Sequence, residues 1–147
     1  MDRAECTRAI LAAKAASGLT FAEIATKVQR HEVWTTSAIF GQAQMDAAEA
    51  AALTELLDLD PDVATALREH PTKGSLDAAV PTDPLLYRFH EITQVYGTTI
   101  KALINEKFGD GIMSAIDFEM TIDKQEDPKG DRVVVTYNGK FLPYRKW

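Results

Sequence analysis

The sequence predicts an α+β protein in two parts, a helical bundle followed by a smaller domain that adds an antiparallel sheet. Three observations carry this. Residues 2–70 hold apolar residues at helical spacing, punctuated by helix-start signals. The segment PTKGSLDAAVPTDP, residues 71–84, packs three prolines and a glycine into fourteen positions, the composition of an extended linker. Beyond it the period switches to two, with Ile116, Phe118, Met120 and Ile122 alternating with Asp117, Glu119, Thr121 and Asp123. The expected domains are therefore residues 1–75 and 76–147.

Asp2 to Ala16 is an alanine-rich helix with Ala9, Ile10, Ala13 and Ala16 on one face, ended by Ser17-Gly18. Thr20 and Glu23 form a capping box, with Leu19 and Ile24 as its hydrophobic staple, opening a second helix to about Gln29. A third runs from Val33 to Phe40 and stops at Gly41. Asp46 and Glu49 make another capping box for a helix to Leu57, and Asp60-Pro61 opens a short fifth helix that ends before Pro71.

In the second part, Asp83 is a good N-cap and Pro84 a good first helical residue. Leu85, Phe89, Ile92 and Tyr96 form one stripe, and Gly97 is the expected stop. A further helix places Ile100, Leu103, Ile104 and Phe108 inward. After the Gly109-Asp110-Gly111 turn, Ser114 stands at the mouth of the alternating strand, whose Ile116, Phe118, Met120 and Ile122 are expected to face a core. Asp127-Pro128-Lys129-Gly130 reads as a turn, Arg132 to Tyr137 as a second strand, and Asn138-Gly139 as a hairpin signal before a third strand at Lys140-Phe141-Leu142. Two or three strands with two helices make a thin core, so this domain is expected to complete its packing against another copy of the chain.

The totals exclude several functions. The net charge is −6, with 7 basic and 11 acidic residues in 1–75 and 9 and 11 in 76–147. Neither half offers the basic surface that nucleic acid or an anionic membrane would favour. The single cysteine, Cys6, excludes an internal disulfide framework and a cysteine-built zinc site. With no membrane-length apolar run, and an N-terminus MDRAECTRAI that lacks the apolar core of a signal peptide, a cytoplasmic protein is expected.

Residues 19–41 have the spacing of a helix-turn-helix, lambda-repressor-like unit. However, HEVWTTSAIFG contains no lysine or arginine and carries a glutamate at its start. It has almost nothing with which to neutralise phosphates, so the unit reads as a packing module. His31, His70 and His90 show no metal-ligand spacing, and Asp123, Asp127 and Asp131 fit no calcium loop.

Two places remain for chemistry. Arg88 and Glu91 are i, i+3 on one helix. They form either a surface ion pair or, beside the Leu85/Phe89/Ile92/Tyr96 stripe and partly desolvated, a guanidinium fork suited to a small anion, with the glutamate orienting it. Ser114 is either a serine at a strand start or, next to turn glycines, a hydroxyl that holds a linear anion or a developing oxyanion. No G-x-S-x-G surrounds it, so it is not a nucleophile elbow.

The run TDPLLYRFHEITQVYGTTIKALINEKFGDGIMSAIDF, Thr82 to Phe118, with the D-P-K-G-D-R-V and G-K-F-L-P elements that follow, closely resembles the cyanase (cyanate hydratase) family. The first half resembles it more loosely, through L-T-F-A-E-I-A and L-L-D-L-D. The resemblance implies a bicarbonate-dependent conversion of cyanate to carbamate and carbon dioxide, the carbamate then yielding ammonia. It implies no metal or organic cofactor. Arg88, Glu91 and Ser114 would be the catalytic set, in a homodecamer of five dimers with sites shared between subunits.

Overall fold

The computed structural model describes residues 1–74 and 78–147. The chain divides into two compact units, Met1–Ser75 and Leu76–Trp147. The expected boundary near residue 75 lies outside the described residues.

The first unit is five helices: α1 (Arg3–Ser17), α2 (Phe21–Val28), α3 (Glu32–Ile39), α4 (Ala47–Leu56) and α5 (Pro61–Leu67). Their starts follow from local chemistry. Thr20 with Glu23 and Asp46 with Glu49 form the expected capping boxes, and Asp2 with Glu5 forms a third. Gly18, at φ 72°, ends α1 in the left-handed conformation that favours glycine. His31 caps α3 through Nδ1, which accepts from the Val33 amide. Ile10, Ile24, Ile39, Met45, Leu53 and Leu67 fill the core, each at most 1% exposed. Burial of such side chains stabilises by about 1.5–3 kcal/mol each.

Arg3 closes this bundle. Its Nη1 donates to Ala66 O at 2.8 Å and its Nη2 to Ala38 O and Ala43 O, both at 3.0 Å. One guanidinium thus serves carbonyls at the ends of α3 and α5, which also accept from the Gly41 and Glu69 amides, and the Ala43 carbonyl in the loop before α4.

The second unit holds α6 (Pro84–Phe108), β1 (Gly111–Gln125) and β2 (Arg132–Pro143). Asp83 caps α6 by accepting from the Leu85 and Leu86 amides. The expected stop at Gly97 does not occur. The helix continues for 25 residues to Gly109, whose φ of 96° ends it. Gly97 is not among the left-handed glycines. Within a regular helix a glycine costs about 1 kcal/mol relative to alanine without breaking the hydrogen-bond ladder.

β1 and β2 form one antiparallel pair, from Gly111↔Pro143 to Gln125↔Arg132. The Asp127–Gly130 turn connects them, with Gly130 N donating to Asp127 O. The expected hairpin at Asn138-Gly139 is absent: both residues lie inside β2, opposite Glu119 and Phe118. Ser114 is likewise inside β1 rather than at its mouth. The register jumps between Met113↔Phe141 and Phe118↔Gly139, so residues 114–117 of β1 face Lys140 alone. This is an enlarged β-bulge.

The second unit has almost no interior of its own. α6 buries no residue, and neither strand packs along it. Phe108, stacked on Phe141 with ring centroids 5.3 Å apart, joins the helix end to the sheet. Among the described residues, 20 of the 22 large apolar side chains left exposed belong to this unit. The stripe residues Leu85, Phe89, Ile92 and Tyr96 are all exposed, and so are Ile116 and Ile122, which the alternation assigned to a core. The period-two pattern is present, but the chain by itself supplies nothing to cover it. No single helix among the described residues is long and apolar enough to cross a membrane.

Candidate anion site

Arg88 and Glu91 lie in the second and third turns of α6, where i, i+3 spacing stacks their side chains. Arg88 Nε forms an ion pair with Glu91 Oε2 at 2.9 Å. Only the Nε edge of the guanidinium is taken, which leaves the paired Nη donors for a planar anion. The arginine side chain is 70% exposed and the glutamate 46%. The partial desolvation expected from the neighbouring stripe is therefore absent in the single chain, because the stripe itself is uncovered.

Ser114 is the opposite case. It is 5% exposed, the one buried residue among those described in the second unit. The bulge folds β1 back on itself, so Ser114 Oγ accepts from Ile116 N at 3.0 Å and from Asp117 N at 2.9 Å. A serine hydroxyl has two acceptor lone pairs and one donor. Both lone pairs are engaged here.

The structure thus joins Arg88 to Glu91 and keeps Ser114 apart from both. Twenty residues separate Arg88 from the end of α6 at Phe108, about 30 Å of helix. No strand packs back along α6 to close that distance.

Other clusters of polar residues are already committed. In the first unit an open groove of about 620 Å³ is lined in part by Arg30, Trp34 and Glu49. Arg30 Nε donates to Glu49 Oε1, and that hydrogen bond and the charge of Glu49 raise the arginine pKa above its ordinary value. Glu49 also accepts from Asp46 N at 2.8 Å. These groups tie the end of α2 to the start of α4. Asp131 pairs with Lys124, and Asp127 accepts from the Lys129 amide, so the hairpin aspartates serve their own turn. No group of three or more His, Cys, Asp or Glu among the described residues is placed to hold a metal ion. Cys6 is buried beside Val63 O, and desolvation pushes its thiol pKa up.

Comparisons with known proteins cover both units. A family model described as "Cyanate hydratase, N-terminal" matches residues 3–71, and one described as "Cyanate lyase C-terminal domain" matches residues 78–146. A cyanate hydratase of Synechococcus sp. is 59% identical over 141 residues, covering 96% of this chain and 94% of its own length. A cyanate hydratase of Cupriavidus necator is 52% identical with full coverage of both chains. Among solved structures, a cyanase from T. urticae superposes with a TM-score of 0.82 at 38% identity, covering 94% of this chain and 96% of that one.

Proposed function

The chain belongs to the cyanate hydratase family and is a lyase acting on cyanate; on that premise we propose that bicarbonate is its co-substrate, with Arg88, Glu91 and Ser114 holding the two anions. The observation that carries this reading is the pair of donor groups left open in the second unit. They are the Nη edge of Arg88, oriented by Glu91, and the hydroxyl proton of Ser114. Both present hydrogen-bond donors, and both substrates are small anions.

Cyanate and bicarbonate repel each other, so bringing them together needs fixed positive charge and donors in a site shielded from water. The guanidinium fork supplies charge and planar geometry, and Glu91 keeps the fork aimed. A bicarbonate oxygen attacks the cyanate carbon to form a C–O bond, and the cyanate nitrogen gains two protons, one from the bicarbonate hydroxyl and one from solvent. The new adduct breaks at a C–O bond, releasing carbon dioxide and carbamate. Protonated carbamate then decomposes to ammonia and a second carbon dioxide. Positioning two bound reactants accounts for most of the acceleration such a site needs. No step calls for a metal or an organic cofactor.

Because Arg88 and Ser114 stand far apart on one chain, the complete site is shared between copies. We place those copies in the homodecamer, a pentamer of dimers, that the family resemblance implies, in the cytoplasm. The uncovered α6 stripe and strand face support this. The deciding experiment is ammonia release from cyanate by the purified, assembled protein, with and without added bicarbonate. Release that requires bicarbonate is expected; no release in either condition overturns the function.

The DNA-binding alternative suggested by residues 19–41 gains no support. The helix in the recognition position, α3, carries Glu32 and no basic residue.

A further inference from the structure

Gly139 sits opposite the bulge that carries Ser114. A Cβ built on Gly139 would come within 2.5 Å of both Ser114 O and Met113 Cγ. Met113 could swing aside, but a backbone carbonyl cannot without moving the bulge. Gly139 is not in the left-handed region, so conformational freedom does not explain the residue. Close approach of the two strands does. We propose that Gly139 is a positioning residue of the anion site, whose missing side chain lets β2 close on residues 114–117 and fixes Ser114 as a hydroxyl that can only donate.

Residues 114–117 span four positions against one on β2. That surplus turns the Ile116 and Asp117 amides onto Ser114 Oγ. With both lone pairs filled, the hydroxyl cannot take up a proton. Its own proton finds no acceptor among the described residues and is free for a ligand. The two amides also polarise the O–H bond and strengthen it as a donor. A serine held in this way favours an anion with exposed lone pairs over a neutral donor, and it serves neither as nucleophile nor as base. Without Gly139 the strand would stand off and the bulge would relax. The two amides would then lose their common acceptor.

This inference rests on the reading of Ser114 as a substrate-holding residue, and a double-mutant cycle tests it. Gly139→Ala is expected to lower kcat about a hundredfold in the assembled protein, the scale of a misplacement near 1 Å. In a Ser114→Ala background the same change should cost less than about twofold, because it acts through that hydroxyl. Equal losses in both backgrounds would overturn the proposal.

If Gly139→Ala does not assemble, or Ser114→Ala is too slow to assay, amide hydrogen exchange decides. The Ile116 and Asp117 amides should be protected in the wild type and remain so with saturating azide, a linear monovalent anion. In Gly139→Ala, as in Ser114→Ala, they should exchange about fivefold to tenfold faster. Exchange in Gly139→Ala unchanged from the wild type sinks the proposal. A wild-type chain that releases no ammonia from cyanate overturns the function but leaves this exchange result to stand on its own.

Discussion

Arg88 engages Glu91 through Nε, so the value of the arginine lies in the geometry of its remaining donors. A lysine would keep the charge and the pairing with Glu91 but would lose the planar fork. Arg88→Lys is expected to reduce kcat/KM about a hundredfold, measured by ammonia release; turnover near wild type would refute the fork. Ser114→Ala should lose activity while keeping its assembly, read by light scattering alongside the assay. Loss of assembly would make Ser114 a structural residue. Arg3 illustrates a different role. Its guanidinium donates to three carbonyls of the first unit; Ala38 O and Ala66 O also accept from backbone amides, so Arg3→Ala strands Ala43 O and should destabilise that unit by about 1.5–3 kcal/mol, seen as a lowered midpoint in chemical denaturation. The pairing of Arg88 with Glu91 was legible in the sequence as a spacing. The state of Ser114 Oγ was not, because its two amide donors depend on a bulge that no local pattern announces.

Helix starts were the most legible elements, since both partners of a capping box lie three residues apart; Asp2 and Glu5 carry the same signature as Thr20/Glu23 and Asp46/Glu49. Glycines were the least legible, because their role is set by what lies across from them. Gly97 reads as a stop yet sits within α6, and Gly139 reads as a turn yet lies within β2. Gly97 leads to a direct expectation. A Cβ there would meet only Thr93 Cγ2, at 4.0 Å, so Gly97→Ala should stabilise α6 by about 0.5–1 kcal/mol. A lowered thermal midpoint would show that another copy of the chain occupies that space. The α2 cap makes a pH prediction. Hydrogen bonds from the Thr20 amide and hydroxyl, both 2.8 Å, hold the Glu23 carboxyl below the ordinary glutamate range. Its folded pKa lies below its unfolded one, so the cap contributes fully above the unfolded value of ~4.3 and is lost as pH falls through the folded value. Glu23→Gln should flatten the acid side of the stability curve, measured by denaturation between neutral and acid pH.

At the scale of the molecule the two units differ in kind. The first has its own core, built from α1 to α5. The second leaves α6 without a buried residue and most of its strand residues exposed. The alternation of Phe118, Met120 and Ile122 falls on a regularly paired stretch of β1, whereas Ile116 lies in the bulge, and Ile116 and Ile122 are both left exposed. Association that covers them stabilises by mass action, so the unfolding midpoint should rise with protein concentration. A midpoint independent of concentration in a monomeric, active protein would refute the shared site.

The length of α6 has a genetic consequence. With Arg88 near one end and Ser114 beyond the other, the proposed shared site has each copy contribute halves to different sites. Two inactive alleles, Arg88→Lys and Ser114→Ala, should therefore complement when their products co-assemble. Random mixing in equal amounts leaves roughly a quarter of the sites with both functional groups intact in a symmetric oligomer. The same arithmetic makes neither allele dominant over wild type, since a defective copy spoils only the one site to which it lends the altered group.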